Sequence, residues 1–147
     1  MWNMSFFLGR GEKVVREQER VLYHQGYSRI GSTMRGKLIL TNKRFLFLQQ
    51  QAVKSGGFLG FGSKTEVQTV GVKINLPIES VVGATVETRT RKKGTLSEPP
   101  SLFSKEPYEV LIVSLDAPTG MENPAFEVYN ARDWVSAIQL GIGGEAV

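Results

Sequence analysis

Gly36-Lys-Leu-Ile-Leu-Thr-Asn-Lys-Arg-Phe-Leu-Phe-Leu48 reads as two strands joined by a polar turn, Thr41-Asn42-Lys43-Arg44. Apolar, β-branched and aromatic residues flank the turn cluster on both sides, the pattern of an antiparallel hairpin. With Asn42 and Lys43 as the loop residues, Leu40 faces Phe45 and Leu38 faces Phe47. These four large side chains then share one face. Lys37, Thr41 and Arg44 share the other with Ile39, Leu46 and Leu48. A slip of one residue would turn both phenylalanines outward, so the register is well specified.

Working outward, the chain of 147 residues is long enough for one domain with a substantial core and short for two. Its 41% hydrophobic and 22% charged residues are ordinary for a globular protein. The absence of cysteine excludes a disulfide framework, a thiolate metal site and a cysteine nucleophile, and fits a reducing compartment. A net charge of +4, from 18 basic and 14 acidic residues, permits an anionic partner. It falls short of the loading of a dedicated nucleic-acid binder, and none is expected.

No segment approaches the roughly 20 apolar residues that span a bilayer. Met1-Trp-Asn-Met-Ser-Phe-Phe-Leu8 has too short an apolar stretch and no basic region before it, which makes it a poor signal peptide. Residues 1–10 are expected to form an apolar arm, and residues 11–147 a single domain. Trp2, Phe6 and Phe7 pack onto that domain as a short arm or helical turn, touch a membrane or partner, or are disordered. The expected location is the cytoplasm, with membrane contact, if any, peripheral.

Glu12 to Glu19 is a charged, solvated stretch, and strand character begins at Val21 and continues to Ile30. Gly31-Ser-Thr33 is a turn before the hairpin. Lys54 to Lys64 is too rich in glycine for a strand or helix interior and reads as a long loop. Strands follow at Glu66–Val70, Val72–Ile78 and Ser80–Arg91, with Pro77 marking an edge or a strand end. A second loop covers Lys92 to Pro107. Tyr108–Leu115 is then a clear strand that pairs with Ala125–Tyr129. Asn130 caps a short helix with Trp134 and Ile138 on one face, and Gly141, Gly143 and Gly144 oppose its continuation.

Enzyme signatures are nearly absent. His24 has no second histidine or cysteine with which to build a metal site. Asp116 and Asp133 have structural roles at a turn and a helix start, while Glu17 and Glu19 lie in solvent where nothing separates their pKa values. Gly56-Gly-Phe-Leu-Gly-Phe-Gly62 lacks the Gly-Lys-Ser/Thr ending of a phosphate-binding loop and a helix after it. No cofactor, metal or catalytic residue is expected.

The order of these features resembles the pleckstrin-homology-like (PH-like) superfamily, and within it the GRAM and bacterial PH domains. The resemblance is carried by Gly11-Glu12, by Gly36-x-Leu38-x-Leu40-Thr41-Asn42-x-Arg44-Phe45-x-Phe47, by Asn75-Leu-Pro-Ile-Glu-Ser-Val81 and by the helix with Trp134. It covers about Gly11 to Ile142. It implies a mainly β fold, a bent seven-stranded antiparallel barrel or sandwich capped by one C-terminal helix. The helix would pack against Leu38, Leu40, Phe45 and Phe47. Arg29, Arg35 and Lys37 lie where many PH domains bind phosphoinositide. Here, however, Lys37 runs into apolar strand residues and then the adjacent pair Lys43-Arg44, which departs from that signature.

Two sets of residues remain for binding. Arg89, Arg91, Lys92 and Lys93, with Lys43 and Arg44 able to join them, form either a solvated strand end or a site for anionic lipid headgroups. Phe58, Leu59 and Phe61 fold back over the sheet, insert into a bilayer surface or dock a partner. The expected function is a non-catalytic binding module for an anionic phospholipid surface or a protein partner. The alternative is a structural domain that self-associates as a homo-oligomer or binds proteins, with no lipid role.

Overall fold

The computed structural model describes residues 8–55, 64–92 and 105–142. The elements run β1 (Val14–Gln25), β2 (Met34–Thr41), β3 (Arg44–Ser55), β4 (Lys64–Pro77), a 3-10 turn (Ile78–Ser80), β5 (Val81–Lys92), β6 (Lys105–Ala117), β7 (Gly120–Glu122), β8 (Ala125–Glu127) and α1 (Ala131–Ile142). The strands form one antiparallel sheet in the order β4-β3-β2-β1-β8-β6-β5, with β7 paired to β6. The seven strands that the resemblance implies become eight: the segments read as separate strands at Glu66–Val70 and Val72–Ile78 are one strand, β4, and the expected turn after β6 contributes the short β7. β4 and β5 are the two ends of the path, so the sheet is strongly extended but not closed into a barrel.

The hairpin pairs in the expected register, Leu38 opposite Phe47 and Leu40 opposite Phe45. All four side chains are buried, and Phe45, Phe47, Tyr23 and Phe126 form an aromatic cluster with ring centroids 5.3–6.1 Å apart. The opposite face departs from expectation. Ile39, Leu46 and Leu48 are also fully buried and make a second apolar cluster. The hairpin is therefore covered on both faces, as its near-continuous apolar sequence allows. Gly36 permits this packing: a Cβ there would stand 2.3 Å from the Leu48 carbonyl oxygen and 2.6 Å from the Phe47 ring.

β1 begins inside the charged stretch that sequence alone places in solvent. Alternation explains it. Glu17 points outward and lies 3.0 Å from Lys37 Nζ, while Gln18 turns inward. The Gln18 Oε1 accepts hydrogen bonds from Trp134 Nε1 at 3.2 Å and Tyr129 N at 3.1 Å. A half-buried polar side chain thus ties β1 to the helix and to the residue before it. β1 also ends earlier than expected, at Gln25, and Gly26 takes φ 110° against the Asn123 carbonyl. That close approach admits only glycine. Below it, the Glu122 carboxylate accepts from Ser28 N at 2.5 Å, Ser28 Oγ at 2.7 Å and Thr119 Oγ1, tying the β1–β2 turn to the β6–β7 turn.

α1 buries Ala131, Trp134 and Ile138, the face its sequence predicts. Asn130 stands at φ 53°, a left-handed conformation asparagine tolerates, and its carbonyl accepts from Asp133 N and Trp134 N to open the helix. The helix lies chiefly on β5, with further contacts to β6, β1 and the 3-10 turn. The hairpin face is therefore part of the same core rather than the helix's immediate wall. The Arg16 guanidinium stacks 5.4 Å from the Trp134 ring centre. Replacing Trp134 by Ala should cost roughly 3–5 kcal/mol of unfolding free energy in urea titration. A loss below about 1 kcal/mol would show that this helix is dispensable to the core.

Candidate functional site

Lys43 and Arg44 sit in the hairpin turn, and the structure gives both of them work within the fold. Arg44 donates to the Glu12 carboxylate through Nε at 2.9 Å and Nη2 at 2.8 Å. The same carboxylate accepts from Thr41 Oγ1 at 2.5 Å and Gly9 N at 2.8 Å. Glu12 has only 2% of its side chain exposed, against 25% for Arg44. Hydrogen bonds from Arg44, outweighing the opposing effect of burial and reinforced by Gly9 and Thr41, hold its pKa down to about 2. Arg44 is correspondingly raised by Glu12. Asn42 brackets the same segment, accepting from Lys13 N at 2.7 Å and donating to the Gly11 carbonyl at 3.1 Å. Lys43 Nζ donates to the Arg10 carbonyl at 3.0 Å.

The second basic group lies along the β5–β6 hairpin. Backbone register sets Arg89 opposite Tyr108, Arg91 opposite Glu106 and Lys92 opposite Lys105. Arg89 Nε lies 2.5 Å from Glu87 Oε1, so part of its charge is met within its own strand. Lys93, Phe58, Leu59 and Phe61 fall outside the described residues. The two basic groups do not share one end of the fold. Thr41, at the turn with Lys43 and Arg44, faces Val14 at the start of β1. Tyr108, facing Arg89, stacks its ring on His24 near the end of β1, with centroids 6.1 Å apart. His24 is part-buried, with Nε2 3.3 Å from Glu127 Oε1.

A cleft opens where β8 stops at Glu127 and leaves β1 and β6 without a strand between them. It encloses about 280 Å³ and is lined by Gln18, Arg20, Arg35, Tyr108, Glu109 and Glu127 among others. Two guanidinium and two carboxylate residues leave it without a clear charge preference. Sequence reasoning misses this cleft. Arg20 stands at φ 61° in a bulge of β1 between Gln18 and Val21, where glycine is the usual occupant. Nothing in the local composition signals the bulge.

Among the described residues, no group of three or more His, Asp or Glu side chains could hold a metal ion, and no helix is long and apolar enough to cross a membrane. No family model matches the chain, and no curated protein does. Solved structures do. The Vps36 N-terminal PH domain is 14% identical, with a TM-score of 0.44 over 90% of this chain and 83% of that one. The DH/PH domains of p115-RhoGEF are 11% identical, with a TM-score of 0.48 over 90% of this chain and 31% of that one. A point mutant of the latter gives 13% identity and a TM-score of 0.49. This chain thus spans about a third of the p115-RhoGEF structure. The fold itself is mainly β, one antiparallel sheet of eight strands that is not closed, followed by one C-terminal helix, an architecture consistent with the PH-like expectation.

The geometry at Glu12 sets two expectations. Substituting Glu12 by Gln removes the buried carboxylate charge to which Arg44 donates and should cost about 3 kcal/mol, since breaking a buried pair is expensive. Because the folded pKa of Glu12 is depressed, the pair's contribution is fully present above pH ~4.5 and is lost as pH falls toward 2. Urea titrations from pH 7 to pH 2.5 should therefore show stability falling below pH 4.5 in the native chain. The fall should be shallower in E12Q, and parallel pH profiles for the two proteins would refute the assignment.

Proposed function

We propose that this chain is a non-catalytic PH-like binding module that engages anionic lipid surfaces peripherally through the far end of the β5–β6 hairpin. The observation that carries this reading is the register of Lys92 against Lys105. Like charges directly opposite on a ladder destabilise it, and nothing in strand pairing requires two lysines there. Arg91 precedes Lys92 and Lys93 follows it. The result is a cationic hairpin end with Glu106 as the one acidic residue in register with it. An anionic membrane relieves such repulsion and contributes about 1 kcal/mol per nearby cation. Phe58, Leu59 and Phe61, outside the described residues, are the apolar side chains proposed for shallow insertion. Lys43 and Arg44 leave the set of headgroup ligands, because the fold already engages them with Arg10 and Glu12. A cytoplasmic protein that reaches membranes only peripherally would have this arrangement.

Self-association through sheet edges has a specific candidate in β4, which ends the sheet and exposes Val70 and Val72. Two register shifts along β4 spoil its outer edge as a regular template for a second strand. Lipid binding is therefore the preferred reading.

Co-sedimentation with phosphatidylcholine vesicles, with and without phosphatidylserine, tests it. Binding should require the anionic lipid, weaken from low to physiological salt, and drop roughly thirtyfold at low salt in Lys92→Glu, a change of two charges. The charge-matched control Lys73→Glu, exposed on β4, should bind as the native chain does. Absence of sedimentation at every composition, or equal losses in both variants, would overturn the proposal.

A further inference from the structure

An apolar groove of about 780 Å³ lies between the end of α1, the 3-10 turn and the start of β1. Val15, Ile78, Ala137, Leu140 and Ile142 line it, and Thr41 and Asn42 form part of its rim. Leu140 is 70% exposed and Val15 is 53% exposed, although both project from regular elements that could have carried polar residues. Gly141 lets the helix end approach the turn, since a Cβ there would already touch Ile78 Cδ1 at 3.5 Å. An apolar cavity of this size is in the range of ordinary ligand sites.

The residues that anchor the N-terminal lead-in are also those at the groove's rim. Thr41 holds the Glu12 carboxylate that receives Gly9 N, and Asn42 grips Gly11. Leu8, next along toward the N-terminus, is half exposed. Seven residues precede it, of which Met1, Trp2, Met4, Phe6 and Phe7 are apolar. Seven residues reach at most about 25 Å, so this segment starts at the rim with enough length to cross the groove. Two such surfaces held together by a tether meet at high effective concentration.

We infer that residues 1–7 are the occupant of this groove in cis, with Phe6 and Phe7 as the side chains that meet Leu140, Ile142 and Ile78. The groove is then a docking site for an aromatic segment of the same chain. This stands apart from the lipid reading, which uses the β5–β6 hairpin.

Because the chain has no cysteine, a pair introduced by substitution reports proximity without background. Ser5→Cys combined with Leu140→Cys should form an intramolecular disulfide under mild oxidation several times faster than Ser5→Cys combined with Val70→Cys. Leu140 and Val70 are both exposed, so either substitution should leave the fold intact. Equal rates in the two pairs would overturn the inference. So would disulfides that form only between chains, which would make a second copy the occupant. As an independent readout, deleting residues 1–7 should raise binding of an apolar fluorescent dye, and Leu140→Glu should reverse that rise. Unchanged dye binding after the deletion would also count against the groove as the arm's seat.

Discussion

The carboxylate of Glu12 fixes where the chain enters its sheet, and the other strands follow from that placement. It gathers Gly9 N, Thr41 Oγ1 and two guanidinium nitrogens of Arg44 around one buried charge. Thr41 Oγ1 in turn accepts from Lys43 N at 3.0 Å and Arg44 N at 2.8 Å, so the hairpin turn has its own amides satisfied. With the lead-in pinned, β1 starts at Val14 opposite Thr41. β1 then serves both halves of the sheet, holding β2 on one edge and β8 on the other. A buried ion pair is costly to desolvate, and here its hydrogen bonds come from both ends of the segment it joins. That geometry specifies one register for β1 where a charged strand would otherwise slide.

What could be read from the sequence follows the range of the interactions involved. The Leu38–Phe47 and Leu40–Phe45 pairs were legible because a two-residue turn dictates them locally. The buried face of α1 was legible from the spacing of Trp134 and Ile138. Burial of Ile39, Leu46 and Leu48 on the second face was not, since alternation says nothing about what a tertiary neighbour covers. β1 was missed over Val14–Arg20 because its inward residue is Gln18, a polar side chain matched to an indole nitrogen more than a hundred residues away. Arg44 reads in the sequence as a turn cation able to join the basic cluster for the same reason. Its partner lies 32 positions earlier, in a stretch that composition assigns to solvent. The residues that identify the hairpin, Thr41, Asn42 and Arg44, prove to be those that clamp the segment beginning at Gly9.

This division clarifies where binding belongs. At the Val14 end of β1, Lys43 and Arg44 are engaged by the clamp, and the groove beside it is mostly apolar. Along the β5–β6 hairpin the register instead sets Lys92 against Lys105, an arrangement that strand pairing alone does not favour. The two proposed sites thus rest on different parts of the sheet. Fold and function separate here in the usual way, with a shared scaffold and sites that depend on local residues.

A double-mutant cycle in urea across Glu12→Gln and Arg44→Met tests most directly whether the clamp organises the fold. A coupling energy of at least about 1.5 kcal/mol is expected, because each single substitution strands the other partner while the double substitution strands neither. Additive losses, with coupling near zero, would contradict the account.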